Sequence, residues 1–342
     1  MNIEEMVAHS VKHNAGDLHL CSGHSPYWRR YGRLEPLPDS VRITQALLQS
    51  SAESWLTPAQ LEQFEREGQL DFALTLADGT RLRANLFRQR KGLSLALRLI
   101  ATECPDLVSL KLPAIASAIL QLEDGLVLVT GATGSGKSTT LAALIGAINQ
   151  QQDRHILTLE DPIEFIHHSQ RSLIQQREIG THCRSFSEGL RSALREDPDV
   201  ILLGELRDGD TIQQALTAAE TGHLVLATLH TRGAAQAVDR LVDVFPGAEK
   251  NLIRSQLAGS LKAVIAQKLV QSTGQGRVAL FEVLVNTPAI ANLIREGKTH
   301  QLPGLLETGM QAGMQTFAGS LAERRQAGLI APSEQKAVEG FL

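Results

Sequence analysis

The chain has 342 residues, of which 43% are hydrophobic and 20% are charged, and its formal net charge at pH 7 is −4. This composition is ordinary for a folded globular protein, and the length allows two domains that each bury a core. The slightly acidic balance argues against a protein that mainly wraps nucleic acid, so we expect no nucleic-acid partner.

The first hundred residues alternate between helical and strand-like hydrophobic patterns. In chain order the predicted elements are a helix over 2–13, a strand around Leu18 and Leu20, a hairpin over 28–33, a helical stretch over 43–66, and strands over 70–76, 81–90 and 93–100. Thr44 is the expected N-cap of the helical stretch, and Pro58 is expected to interrupt it. Together these elements predict a small α+β domain over residues 1–100.

Residues 101–113 contain two X-Pro pairs and are predicted to be a linker. Strand patterns near 126–130, 156–160, 200–204 and 224–229 then alternate with helical patterns. This alternation predicts a largely parallel sheet with helices on both faces, which is the α/β class. From Ala289 onward the pattern is helical and has no strand signal. The second domain is therefore predicted over 114–342, with a helical C-terminal tail.

The apolar run at 126–129 leads into a complete G-x-x-x-x-G-K-[ST] phosphate-binding loop, and an apolar stripe at helical spacing follows. The residues of this loop are Gly131, Ala132, Thr133, Gly134, Ser135, Gly136, Lys137 and Ser138. The glycines let backbone N–H groups converge on phosphate oxygens at a helix N-terminus. Lys137 then reaches the β- and γ-phosphates, and the Ser138 hydroxyl can bind Mg²⁺. The sequence thus predicts a nucleoside triphosphate site with Mg²⁺.

Two carboxylates stand where predicted strands end: Glu160 follows 156–159, and Glu205 follows 200–204. Open α/β sheets bind ligands outside the carboxyl ends of their strands, so both acids can organise Mg²⁺ and orient an attacking water. The alternative is that each is a surface carboxylate that caps the next helix. Their joint occurrence after two core strands favours the site.

His223 and His230 bracket the strand pattern at 224–229, and their odd separation places them on opposite faces of a regular strand. They are therefore a poor metal pair. His230, at the carboxyl end, is a candidate sensor of the γ-phosphate, although a structural role is the favoured alternative for each histidine on sequence alone.

Four arginines are further candidates for phosphate binding. Arg191 and Arg195 would share one face of a helix over 186–195, where they could either clamp phosphate or pair with nearby glutamates. Arg83 and Arg98 stand on predicted strands of the first domain. Exposed strand-edge charges are the favoured interpretation of that second pair, unless the domain contacts a nucleotide.

The N-terminus carries Glu4 and Glu5 in place of a basic region and an apolar core, so no secretory signal is expected. No apolar run approaches the length that spans a bilayer, so direct membrane insertion is not expected either. Cys21, Cys104 and Cys183 have no close spacing, which favours free thiols in a reducing cytoplasm over a metal site.

At this point four motifs in order resemble those of the type II/IV secretion and pilus motor ATPases, in particular the pilus retraction (twitching motility) branch. The resemblance covers nearly the whole chain. The motifs are the phosphate loop extended to Thr139, an aspartate box at 157–165, an atypical Walker B motif at 194–208 and a histidine box at 221–231. The family usually has proline where this chain has Ala132.

The resemblance implies a homohexameric ring whose subunits have a PAS-like N-terminal domain and a RecA-like core, with ATP between them. Glu160 would be the general base, and Glu205 would support Mg²⁺, largely through water. The implied catalytic residues are Glu160, Glu205, Lys137 and His230. Arg83 and Arg98 would reach the phosphates from the N-terminal domain, which reverses the interpretation from sequence alone, and Arg191 and Arg195 would contribute from the core.

The resemblance is to the retraction branch because two features of the other branches are missing. Assembly and secretion ATPases of this family usually carry a longer N-terminal extension and a tetracysteine zinc element, which three scattered cysteines cannot build. The tail 289–296 is similar to that of the retraction branch, but Ala291 stands where the family has arginine. We therefore expect a cytoplasmic ATPase that drives retraction of a type IV pilus at an inner-membrane platform protein. The alternatives are an assembly or secretion ATPase and a nucleotide-sensing paralogue without a pilus role.

Overall fold

A computed structural model describes residues 2–30, 33–100, 104–274 and 276–330 of the chain. The chain divides into two compact units, Met1–Glu103 and Cys104–Leu342. Parts of three predicted segments lie outside the described residues: Tyr31 and Gly32 of the hairpin, 101–103 of the linker, and the end of the tail from residue 331.

The first unit contains one six-stranded antiparallel sheet with the strand order β3-β2-β1-β6-β5-β4. Its elements are α1 (Ile3–Lys12), β1 (Asp17–Cys21), β2 (Tyr27–Arg30), β3 (Arg33–Pro36), α2 (Gln45–Trp55), α3 (Pro58–Glu67), β4 (Gln69–Thr75), β5 (Arg81–Gln89) and β6 (Gly92–Ile100). Burial alternates along β5, as expected for a sheet with one face on a core. These elements agree with the predicted ones.

Local chemistry explains the break between α2 and α3. The Thr44 side chain caps α2 by accepting from the Leu47 amide at 3.2 Å. Pro58 occupies the first turn of α3, where its missing N–H costs nothing, and Thr57 forms a capping box with Gln60. The proline therefore ends the predicted helical stretch by starting a new helix.

The second unit contains a seven-stranded sheet with the order β13-β12-β7-β11-β10-β8-β9. Its elements are α4 (Ile115–Ile119), β7 (Gly125–Thr130), α5 (Lys137–Gln151), β8 (His155–Glu160), β9 (Leu173–Glu178), α6 (Phe186–Ala193), β10 (Val200–Leu203), α7 (Gly209–Glu220), β11 (Leu224–Leu229), α8 (Ala234–Asp243), α9 (Lys250–Ser260), β12 (Leu261–Gln271), β13 (Arg277–Val285), α10 (Pro288–Glu296), α11 (Leu302–Thr308) and α12 (Phe317–Gln326). All neighbours pair in parallel except β12 and β13. The predicted α/β class is confirmed.

The central strands are buried on both faces because helices cover both sides of the sheet. In β7, Val127 and Val129 join the apolar cluster that includes α5, while Leu126 and Leu128 join the cluster that includes α7, α8 and α9. These strands therefore read as continuous apolar runs in the sequence rather than as alternating ones.

Three strands were missed by the hydrophobic pattern: β9, β12 and β13. β9 has only two apolar residues, as an edge strand can. β12 follows α9 with no residue between them, so no loop segment marks where the helix gives way to the strand.

The C-terminal tail closes the free edge of the sheet. Val283 of β13 exchanges backbone hydrogen bonds of 2.8 and 3.1 Å with Gln315, and the Phe281 amide donates to the Ser320 hydroxyl at 3.0 Å. Arg324, which is buried, donates to the Ala279 carbonyl at 3.4 Å. Polar groups that an edge strand would leave unpaired are thus bonded by the tail.

Within the ranges that the structure describes, no helix combines the length and the apolar character that crossing a bilayer requires.

A comparison of two glycines tests whether the left-handed backbone conformation at the C-terminal end of α3 favours glycine. Gly68 has φ +72° and Gly16 does not have a positive φ, and in both cases an added Cβ would meet nothing within 4 Å. We expect Gly68→Ala to destabilise the first unit by about 0.5–1 kcal/mol, because the left-handed conformation costs a residue with a Cβ about 1–2 kcal/mol and the loss of unfolded-state entropy offsets only part of this. Gly16→Ala is the control.

Chemical denaturation of both variants beside the wild type measures this difference. A Gly68→Ala midpoint equal to or above that of Gly16→Ala would contradict the explanation.

Candidate nucleotide-binding site

The phosphate loop leaves β7 at Gly131 and enters α5 at Gly136, and its backbone conformation requires glycine. Gly131, Gly134 and Gly136 have φ of 148°, 76° and 89°. A Cβ on Gly131 would lie 2.5 Å from both the Gln267 carbonyl oxygen and the Ser135 hydroxyl. The loop therefore wraps closely on itself, and a side chain at residue 131 would not fit.

Lys137 lies inside the loop it follows. Its Nζ donates to the carbonyl oxygens of Gly131 and Ala132 at 3.0 and 3.1 Å and lies 3.5 Å from His230 Nδ1. Burial lowers the pKa of the Lys137 amine, while the charges of Glu205 and Glu164 oppose that effect. A desolvated amine without a bound anion is costly, so this position favours a negatively charged ligand.

Gln267 of β12 holds the loop from below, and the sequence analysis missed it. Its Nε2 donates to the Ser135 carbonyl at 2.5 Å, and its Oε1 accepts from the Thr140 hydroxyl at 2.8 Å. The side chain thus ties the end of the loop to the first turn of α5. The sign in the sequence was a single glutamine directly after the apolar run 263–266. In the structure this side chain is only 2% exposed.

Strand order places the predicted polar residues in one row at the carboxyl edge of the sheet. From β7 outward, the strands end in the phosphate loop, in His230 after β11, in Glu205 after β10 and in Glu160 of β8. The last two strands are joined where they end, because the Gly204 amide donates to the Leu159 carbonyl at 2.8 Å. The structure therefore brings Lys137, His230, Glu205 and Glu160 to the same edge.

Glu205 is surrounded by positive groups. Its Oε2 pairs with Arg207 at 2.7 Å, and its Oε1 lies 3.4 Å from His230 Nε2. Burial alone would raise the Glu205 pKa, but the Arg207 hydrogen bond and the charges of His230, Arg207 and Lys137 together lower it. Glu205 is therefore an ionised carboxylate. Arg207 is a partner that the sequence analysis did not single out, although it stands two residues away in the same motif.

Glu160 has the opposite environment. Burial raises its pKa, and hydrogen bonds from neutral donors oppose this effect only in part. The Thr158 hydroxyl and Gln176 Nε2 both donate to Glu160 Oε1, at 2.7 and 3.2 Å. Gln176 also donates to the Phe165 carbonyl at 2.8 Å and accepts from the His167 amide at 2.8 Å. A half-buried carboxylate with a raised pKa and a fixed orientation suits a general base.

The residues present fit a nucleoside triphosphate with Mg²⁺. The Ser135 hydroxyl is buried and, among the described residues, has no hydrogen-bond partner, and no described side chain caps α5. The uncapped amides at the start of α5 are the kind of donors that bind phosphate in such loops. Ser138 and the ionised Glu205 would hold Mg²⁺, which neutralises charge on the β- and γ-phosphate oxygens when bound.

α6 ends at Ala193, so Arg191 is on the helix and Arg195 lies two residues beyond its end, whereas the predicted helix extended to residue 195. Both are exposed, and together with Arg177 and Arg184 they line a surface cavity of about 420 Å³ beyond the end of β9. Arg177 is on β9, which is four strands away from β7 in the sheet, and no residue of the phosphate loop lines this cavity.

Arg83 and Arg98 are directly opposite each other on β5 and β6 of the first unit, and both are exposed. Arg98 Nε pairs with Asp17 Oδ1 at 2.9 Å. Like charges directly opposite in a sheet are destabilising, so this pair carries a cost that binding of an anion would offset.

All three cysteines are free, and within the described residues there is no group of three or more His, Cys, Asp or Glu that could hold a metal ion.

The parallel sheet and the glycine loop at its carboxyl edge define a nucleotide-binding protein of the P-loop class. The model of the family described as type II/IV secretion system protein matches residues 65–326. The chain belongs to this family, and the resemblance that the four motifs indicated is confirmed.

Individual relatives extend the match over nearly the whole chain. The uncharacterized protein YggR of Escherichia coli K12 is 61% identical over 95% of this chain and 98% of its own length. The type IV pilus retractation ATPase PilT of Pseudomonas aeruginosa is 45% identical over 96% of each chain. A crystal structure of the pilus retraction motor PilT with bound ADP aligns with a TM-score of 0.89 and 40% identity, covering 98% of this chain and 96% of that one.

The opposite pKa shifts of the two acids predict opposite pH dependences of stability. The Glu160 pKa is raised, so the wild type loses stability as pH rises through that pKa, and Glu160→Gln escapes this loss. The Glu205 pKa is lowered, so its carboxylate contributes stability that is lost as pH falls, and Glu205→Gln never gains it.

Between about pH 3 and about pH 8, we expect the melting temperature of Glu160→Gln to rise increasingly above the wild-type value once the pH exceeds about 4.5, the ordinary pKa of a glutamate. The melting temperature of Glu205→Gln should fall below the wild-type value as pH rises toward about 4.5 and keep a constant deficit above that pH, because a lowered pKa places the titration on the acid side. Thermal unfolding without nucleotide, measured across this range, gives both curves. Two variants that shift in the same direction at pH 8 would refute the assignment of the two environments.

Proposed function

We propose that this chain is an ATP-hydrolysing hexameric motor that powers retraction of a type IV pilus. The observation that carries the proposal is the row of Lys137, His230, Glu205 and Glu160 along one sheet edge, in a chain related over nearly its whole length to PilT. Phosphate binding, an ionised acid and a buried base are the parts that triphosphate hydrolysis needs.

Each residue has a distinct part in the proposed reaction. The loop amides and Lys137 bind the phosphates and the charge that develops on them. Glu160 takes the proton of the attacking water, and Thr158 and Gln176 keep its carboxylate oriented. His230 lies between Lys137 and Glu205, where it can respond to the presence of the γ-phosphate.

The four arginines belong to the proposal as additional phosphate ligands. The exposed Arg83–Arg98 pair supports an anion contact made by the first unit. Arg191 and Arg195 lie in an arginine-lined cavity away from the phosphate loop, and a hexameric ring offers them the nucleotide of a neighbouring subunit.

Within this proposal the ring is cytoplasmic and reaches the inner membrane through a pilus platform protein. The absence of a spanning helix among the described residues is consistent with this place.

Two alternatives remain. A type II secretion or pilus assembly ATPase would use the same nucleotide site. A nucleotide-sensing paralogue without a pilus role is favoured by Ala291 alone, which lies half-buried against the core of the second unit at the place where the family has arginine.

Removal of the loop amine tests the nucleotide site. We expect Lys137→Ala to lower ATP turnover by roughly a hundredfold or more, because the phosphates lose the only charge inside the described loop. Lys250→Ala, which removes a lysine paired with Asp243, should leave turnover unchanged. Phosphate release at saturating ATP measures both. Wild-type turnover in Lys137→Ala would refute the site.

Deletion of the gene tests the motor's task. Retraction predicts cells with more surface pili and no twitching, because pili would still be assembled but not withdrawn. Loss of surface pili would instead indicate an assembly ATPase. An unchanged phenotype, in cells whose purified protein hydrolyses ATP, would indicate the paralogue.

A further inference from the structure

His230 belongs to a short loop whose C-terminal end is bonded to a residue of β13. The loop comprises residues 230–233, between the last residue of β11 and the first residue of α8. Leu229 is fixed at one end by its pairing with Thr130 of β7. At the other end the N-cap of α8 is Gly233. Glycine has no side chain that could accept hydrogen bonds from the amides in the first turn of the helix.

Glu282 of β13 supplies the missing acceptor. Its Oε1 accepts from the Ala234 amide at 2.8 Å, across a sequence separation of 48 residues. A Cβ on Gly233 would lie 3.1 Å from the same oxygen, so the carboxylate sits directly against the loop. A side chain at residue 233 would force the carboxylate to shift by a few tenths of an ångström.

The carboxylate is itself held in place. Glu282 is half-buried, and burial raises its pKa, while the Ala234 amide and the charge of Lys268 oppose that effect. Lys268 Nζ in turn lies 4.1 Å from the ring centre of Phe317, the first residue of α12. A carboxylate that reaches from β13 to the first amide of α8 fixes the N-terminus of that helix, and with it the end of the loop, relative to the sheet.

We propose that Glu282 is a positioning residue for the reaction: its acceptor oxygen fixes residues 230–233 and thereby holds His230 between Lys137 and Glu205. This inference rests on the proposed ATPase function. The phosphate loop has its own anchor in Gln267, so moving the His230 loop should impair turnover and leave nucleotide binding intact.

Two conservative variants separate reach from charge. Glu282→Gln keeps an acceptor oxygen at the same reach and removes the charge, whereas Glu282→Asp keeps the charge and withdraws the oxygen by one methylene. We expect kcat for ATP to stay within about threefold of wild type in Glu282→Gln and to fall about tenfold or more in Glu282→Asp, because small displacements of a catalytic group are costly. In both variants KM for ATP and Kd for ADP should stay within about threefold.

Thr287→Ala is the matched control. It removes the cap of α10, whose Ile290 amide donates to the Thr287 hydroxyl at 3.4 Å, in the same unit but away from residues 230–234. We expect its kcat within about twofold of wild type, since loss of a helix cap should lower stability without moving His230.

Hydrogen exchange of the protein without nucleotide gives a second reading that does not need activity. Amides of residues 230–236 should exchange faster in Glu282→Asp than in wild type, and at the wild-type rate in Glu282→Gln. If the wild type shows no turnover, the proposed ATPase function fails while exchange still decides whether Glu282 holds the loop. Wild-type kcat in Glu282→Asp, a loss in Glu282→Gln as large as that in Glu282→Asp, or unchanged exchange in Glu282→Asp would each overturn the inference.

Discussion

The parallel register of the central strands is the constraint on which the site depends. Parallel strands end at one edge, and backbone hydrogen bonds such as that from Gly204 to Leu159 fix where each end lies. The chain therefore needs no long-range side-chain contact to bring Glu160 and Glu205 near each other; it only has to place each acid directly after its strand. The phosphate loop and His230 reach the same edge by the same rule.

Two glutamates a strand apart acquire opposite character from what surrounds them. Glu160 is buried among neutral donors and its pKa is raised, whereas Glu205 faces arginine, histidine and lysine and its pKa is lowered. A pair of acids whose pKa values diverge can divide the labour of proton transfer and charge support. The division comes from the helices, loops and strand ends around them, since the two side chains are chemically identical.

The residues along the sheet edge were predictable because each belongs to a local pattern: a glycine loop, or an acid directly after an apolar run. Gln267 and Glu282 were not, because each acts on a segment that only the β12–β13 hairpin brings near. Arg195 shows the limit of helical periodicity, since the spacing from Arg191 was right for a helix that ends too early. Gln176 carried no signal at all, since β9 was not recognised as a strand.

The two faces of strand β12 contact different parts of the second unit. Gln267 points at the phosphate loop, and Lys268, the next residue, lies on the face of Glu282 and Phe317. The one register shift against β7, between Leu261 and Ala263, comes before both residues. Loss of a single residue between that bulge and Gln267 would set Lys268 in the place of Gln267 beneath the loop, whereas insertion of one would set Gln267 in the place of Lys268 beside the tail. The number of residues between the bulge and Gln267 therefore decides which side chain holds the phosphate loop and which one faces the tail.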